Sequence, residues 1–132
     1  MSPGELRALF LRERAAFSTT FPRCAGVGLV LLERPCPVPP CASRDLAAYY
    51  PARHTIEIAR RALQRPRASV VALVRHELGH AADPTPGAPG AEQRADRIAR
   101  EVRGVSIRYG ADLVQTLDPH AKFPRRPTFL PR

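Results

Sequence analysis

Hydrophobic and polar positions along this chain fall into a short series of distinct patterns. Leu6, Leu9, Phe10, Leu11 and Phe17 recur at helical spacing, and Ser2-Pro3-Gly4-Glu5 ahead of them reads as a capping box with proline at the first helical position. A first helix to about Phe17 follows, placed to cover a sheet. Gly26 to Glu33 is a β-rich apolar run suited to a buried strand, and Leu46 to Tyr50 suggests a second, short one. Thr55-Ile56-Glu57-Ile58-Ala59 alternates, with Ile56 and Ile58 on one face, so a half-buried strand and then a short helix are expected. Ile56 to Gln64 also tolerates a helical reading throughout.

Further on, Ser69 can cap a helix whose Val70, Val71, Leu73, Val74 and Leu78 give it enough apolar surface to be buried. Asp83 to Gly90 holds three prolines and two glycines and must turn the chain. A second helix then carries Glu92, Ala95, Ala99 and Val102 on one stripe and closes at Gly104. Residues 105–117 suggest one more short helical element. Pro35 to Pro40 reads as a stiff loop, and the Pro- and Arg-rich stretch 119–132 as an extended tail. The expected fold is a small α+β domain over residues 1–118: an N-terminal helix, a three-stranded, mostly antiparallel sheet, and two consecutive helices that bear the polar residues of interest.

Those residues begin with His76-Glu77-Leu78-Gly79-His80, a His-Glu-x-x-His pattern. On a helix the four-residue offset sets His76 and His80 one turn apart on one face, where both imidazoles can grip one Zn²⁺. Glu77 lies about 100° round the helix, in reach of a water to be deprotonated, so it is the candidate general acid/base. Hydrolytic zinc takes three protein ligands and leaves a position for water. Glu92, heading an otherwise apolar face of small residues, is the best candidate for the third. An acid in the first turn of a helix is also favoured by the helix dipole alone. The longer motif with a third histidine is excluded, since proline stands at position 86. Asp96, one turn beyond Glu92, suits either a hydrogen bond to a zinc histidine or an ion pair with Arg100. Tyr49, Tyr50 and Tyr109 are candidate oxyanion donors, and His54 reads as an isolated surface histidine.

His76-Glu77-Leu78-Gly79-His80 followed by Glu92-x-x-Ala95-Asp96 resembles the gluzincin metallopeptidases, in particular the HtpX and CAAX-prenyl-protease group and its soluble minimal relatives, the minigluzincins. The ImmA/IrrE-type peptidases are the alternative kin; their second helix motif ends in Phe-Ala, where this chain has Ile98-Ala99. The likeness runs from about residue 50 to residue 103. It implies a zincin-like fold and zinc-dependent hydrolysis of a protein or peptide substrate by metal-activated water. Two departures are the lack of membrane spans and the short linker from His80 to Glu92.

Charge alters this picture little. The chain has 132 residues and a formal charge of +9, but Lys122 is its only lysine, an imbalance that looks like high-GC codon bias. A nucleic-acid partner bound through Arg60, Arg61, Arg65 and Arg67, or through Arg94, Arg97, Arg100 and Arg103, is the alternative reading; the latter four spread round a helix rather than form a stripe. A regulatory module with a vestigial zinc site is another, against which Glu77 argues. The apolar run Ala25 to Leu32 is far below the roughly 20 residues of a membrane helix. Charges at Glu5, Arg7, Arg12, Glu13 and Arg14 leave no hydrophobic leader, so a cytoplasmic location is expected. Cys24, Cys36 and Cys41 read as free thiols. Two finer points complete the reading: Thr55 to Ala59 is expected as an edge strand that pairs with an extended substrate, and the tail is expected to have no role, with His120 as an added ligand that holds the site latent as the alternative.

Overall fold

The structure is a computed structural model and describes residues 1–33 and 46–104. Helix α1 spans Pro3–Thr20. Its start is fixed by a reciprocal pair: Glu5 N donates to Ser2 Oγ at 3.0 Å, and Ser2 N donates to Glu5 Oε1 at 2.7 Å. Such a cap contributes about 1 kcal/mol. Leu6, Leu9, Phe10 and Phe17 form the buried stripe, each worth roughly 2 kcal/mol of apolar transfer. The helix outruns its expected end at Phe17 by three residues and stops where Pro22 opens a 3-10 turn, Pro22–Gly26.

Strands β1 (Gly28–Leu32), β2 (Ala47–Tyr50) and β3 (Thr55–Ala59) make a sheet in the order β1-β3-β2. Here two expectations fail. The sheet is mixed rather than mostly antiparallel: β1 runs parallel to β3, and only β2 opposes it. The reason is that the tight turn Pro51 to His54 makes β2 and β3 a hairpin, leaving β1 to join on the other side of β3. For the same reason β3 is the central strand, hydrogen-bonded on both sides, so it cannot be the rim that pairs with a substrate.

The alternation in β3 arises because its two faces meet different surroundings. Ile56 and Ile58 enter the core with Leu29 and Leu31 of β1 and Ala47 and Tyr49 of β2. On the other face Glu57 is still only 7% exposed. Arg53 donates to its carboxylate at 3.0 Å and also lies 4.6 Å from the centre of the Tyr50 ring.

Beyond the expected short helix, here the 3-10 turn Arg60–Gln64, helix α2 spans Arg67–Ala82 and α3 spans Ala91–Arg103. Ser69 does not cap α2: Pro66 occupies that position, and Ser69 is buried inside the first turns. Helix α2 is buried on nearly all sides, as befits the central helix of a domain, and α3 buries only Ala95, Ile98 and Ala99. Gly104 ends α3 with φ +75°, the left-handed conformation expected of a glycine C-cap. No helix among the described residues is long and apolar enough to cross a membrane. The loop Pro35 to Pro40, Cys36, Cys41, the element in 105–117 with Tyr109, and the tail 119–132 with His120 lie outside the described residues.

The three helices meet at one buried carboxylate. Glu13 of α1, 1% exposed, accepts from Arg75 Nε of α2 at 3.0 Å and from the Arg103 guanidinium of α3 at 3.4 Å. The sequence carried the signal, because Glu13 falls on the apolar stripe of α1 between Leu9 and Phe17. A lone acid on a buried face needs cationic partners.

Candidate metal centre

Helix α2 presents His76 and His80 one turn apart, their rings edge to face at a centroid distance of 4.7 Å. Their Nε2 atoms are 3.1 Å apart. From α3, Glu92 Oε1 lies 2.8 Å from His76 Nε2 and 3.2 Å from His80 Nε2. These three atoms form a group that can hold a metal ion. Two zinc ligands at about 2.1 Å in tetrahedral geometry stand about 3.4 Å apart, so the observed triangle is smaller than a coordination face by a few tenths of an ångström.

The hydrogen-bond pattern calls for a positive charge at the same place. His76 Nδ1 is 2.7 Å from Asp96 Oδ1, and a carboxylate there can only accept, so Nδ1 carries the hydrogen. His76 Nε2 faces the Glu92 carboxylate at 2.8 Å, and that carboxylate too can only accept. Something positive must sit among them, either a proton or a metal cation. Burial pushes the His76 pKa down, but Asp96, Glu92 and Glu77 outweigh it and raise it to about 9. Burial pushes Glu92 up, and the two histidines overcome this and hold it well below the usual carboxylate range. With its pKa so raised, His76 carries both ring protons at neutral pH and donates from Nε2 to Glu92.

His76 and Glu77 are fully buried, whereas the Glu92 side chain is 36% exposed, so solvent reaches the group from the α3 side. Glu77 sits next to His76 on α2, and its charge contributes to the raised His76 pKa, which couples it electrostatically to that histidine. Of the alternatives weighed for Asp96, the hydrogen bond to His76 forms. Asp83 is not a ligand: Thr85 and Arg94 occupy its two oxygens.

His54 is not isolated. Its Nε2 donates to the Arg23 carbonyl at 2.8 Å, which leaves Nδ1 to accept from the Tyr49 hydroxyl at 2.6 Å, at a backbone φ of +50°. It pins the hairpin turn to the preceding 3-10 turn. Tyr49 is thereby engaged, and Tyr50, by strand parity, faces away from the core side that α2 covers. Cys24 is a buried thiol, pushed up to about 11 by burial, and is unreactive there.

Two features of the site escaped the sequence reading. Gly79 turns its bare α-carbon against the backbone of Ala95, which lets α3 close on α2. Arg94, taken as a surface charge, binds the whole linker before α3. A glycine inside an apolar helical run was a legible signal of close approach; nothing distinguished Arg94 from its neighbours. With Arg60 paired to Glu33, Arg94 to Asp83 and Arg103 to Glu13, three of the arginines that suggested a nucleic-acid surface have internal partners.

Comparison with protein-family models, with curated proteins and with solved structures returned no match.

Proposed function

We propose that this chain is a zinc-dependent metallopeptidase of gluzincin type, with His76, His80 and Glu92 as metal ligands and Glu77 as general acid/base. The observation that carries this reading is the convergence of three lone-pair donors within 2.8–3.2 Å, with Asp96 fixing the tautomer of His76. Two imidazoles and one carboxylate suit zinc, and a purely structural zinc site is normally closed by a fourth protein ligand. Bound there, zinc supplies a Lewis acid that lowers the pKa of water to about 7.

The chain's own residues do the remaining work. Glu77 takes a proton from the attacking water and returns it to the leaving amine. Asp96 keeps His76 in the tautomer that presents Nε2. The substrate is a protein or peptide, reached from the exposed side of Glu92. The test is metal content and digestion of a peptide library. Wild type should hold about one zinc per chain. His76→Ala and His80→Ala should lose it, while Glu77→Gln should keep zinc and lose hydrolysis. Zinc retained in both histidine variants would overturn the ligand assignment. Hydrolysis by Glu77→Gln at the wild-type rate would overturn the mechanism.

A further inference from the structure

Two of the three ligands sit on one helix, but Glu92 comes from another, across a linker of unfavourable composition. Asp83 to Gly90 contains Pro84, Pro86 and Pro89 with Gly87 and Gly90, both at positive φ. Such a segment has no ladder of its own to set where α3 begins. Apart from one turn bond, Ala88 N to the Thr85 carbonyl at 3.1 Å, its shape comes from two side chains.

Asp83, fully buried at the C-terminal end of α2, accepts on Oδ1 from Thr85 N at 2.9 Å and Thr85 Oγ1 at 3.2 Å. On Oδ2 it accepts from Arg94 Nε at 2.9 Å. The same guanidinium donates to the carbonyls of Pro89 at 2.6 Å, Thr85 at 2.9 Å and Ala88 at 3.1 Å. A guanidinium has five N–H donors in a fixed plane, and Arg94 spends four of them on this one linker. Lysine has neither the plane nor the reach.

Arg94 lies midway between Glu92 and Asp96 on the first turns of α3. The clamp therefore ties the end of the helix that carries the histidines to the start of the helix that carries the third ligand and the His76 partner. We infer that Arg94, locked on Asp83, is a positioning residue that sets the reach of Glu92 towards His76 and His80. This rests on the reading of those three residues as one metal centre. Neither Arg94 nor Asp83 is a ligand, and neither touches the reacting atoms.

The experiment is a double-mutant cycle on zinc affinity, measured on the full chain by competition with a chelator, with circular dichroism of the metal-free proteins alongside. Arg94→Ala and Arg94→Lys should each weaken zinc about tenfold or more, with helix content kept. If Arg94 acts through Glu92, Arg94→Lys should cost clearly less affinity in Glu92→Ala than in wild type, because the ligand it positions is already gone and only the Asp96 pairing is left to disturb. Asp83→Asn, which keeps the size but weakens the clamp, should fall between wild type and Arg94→Ala. Additive losses in the cycle would overturn the inference, since they would mean that Arg94 supports the fold and not the ligand; so would wild-type affinity in Arg94→Lys. Failure of the metal reading would look different: wild type without zinc, or Glu92→Ala with wild-type affinity.

Discussion

A β-carbon built on Gly79 would stand 2.3 Å from the carbonyl oxygen of Ala95 and 2.9 Å from its carbonyl carbon. The obstacle is backbone, so no side chain can swing aside to admit it. Helix propensity alone says that Gly79→Ala should stabilise α2 by about 1 kcal/mol. The close approach says the reverse, because overpacking costs typically 1–3 kcal/mol and here would push the α3 backbone away. Gly79→Ala is therefore expected to lower the melting temperature and, by carrying Glu92 and Asp96 outward, to weaken zinc binding. A raised melting temperature with unchanged zinc affinity would contradict the close packing of α2 and α3.

Asp96 offers a test of the pairing that sets the His76 tautomer. Asp96→Ala should weaken zinc binding about 10–100-fold, and Asp96→Asn, which keeps an acceptor oxygen, by less. In the metal-free protein Asp96 is the foremost of the groups that raise the His76 pKa to about 9 against the downward push of burial. Without it the titration of His76, followed by proton NMR, should move down. An unmoved His76 titration in Asp96→Ala would sink the pairing.

How much of this could be read from the residues depended on whether the signal was local. The capping box at Ser2 and Glu5, the stripe of α1, β3 as a strand and the glycine end of α3 are each written within a few residues and appear as expected, although β3 is buried on both faces and not on one. The meeting of His76, His80 and Glu92 was legible because two members are set by helical spacing and the third follows a turn that brings the chain back. What depended on long-range pairing was not legible. A parallel β1–β3 pair and a central β3 follow from where β1 docks, which no residue within β3 announces. The same holds for Ser69, a good cap by type but placed two residues inside the first turn of α2.

Glu13 provides a stability prediction independent of the metal. Its carboxylate is 1% exposed and faces Arg75 and Arg103, whose side chains are 18% and 30% exposed. Glu13→Ala strands two cations at the junction of three helices, and breaking such a pair from one side costs about 3 kcal/mol. In a domain of this size the melting temperature should fall by on the order of 10 °C. Glu13→Gln, which still accepts one hydrogen bond, should lose less. A melting temperature within about 2 °C of wild type for Glu13→Ala would show that the junction carries little of the stability.

The last prediction concerns acid. Burial pushes the Asp83 carboxyl upward, but the Thr85 amide, the Arg94 guanidinium and the Thr85 hydroxyl outweigh it and leave its pKa below the ordinary value of 3.8. A folded pKa below the unfolded one means that the unfolded chain binds the proton more readily. The stabilisation is then fully present above the unfolded pKa of about 3.9 and is lost as pH falls through the lower folded value. At neutral pH, therefore, the clamp contributes in full, and it fades only in strong acid. Asp83→Asn has no proton to take up, so its stability should be lower than wild type at neutral pH, and the gap should begin to narrow below about pH 4 and close only below the folded value. Chelator-treated proteins unfolded in urea across that range separate this effect from metal loss. A gap between the two that stayed constant down to acid would show that the Asp83 charge contributes nothing beyond the hydrogen bonds an amide can replace.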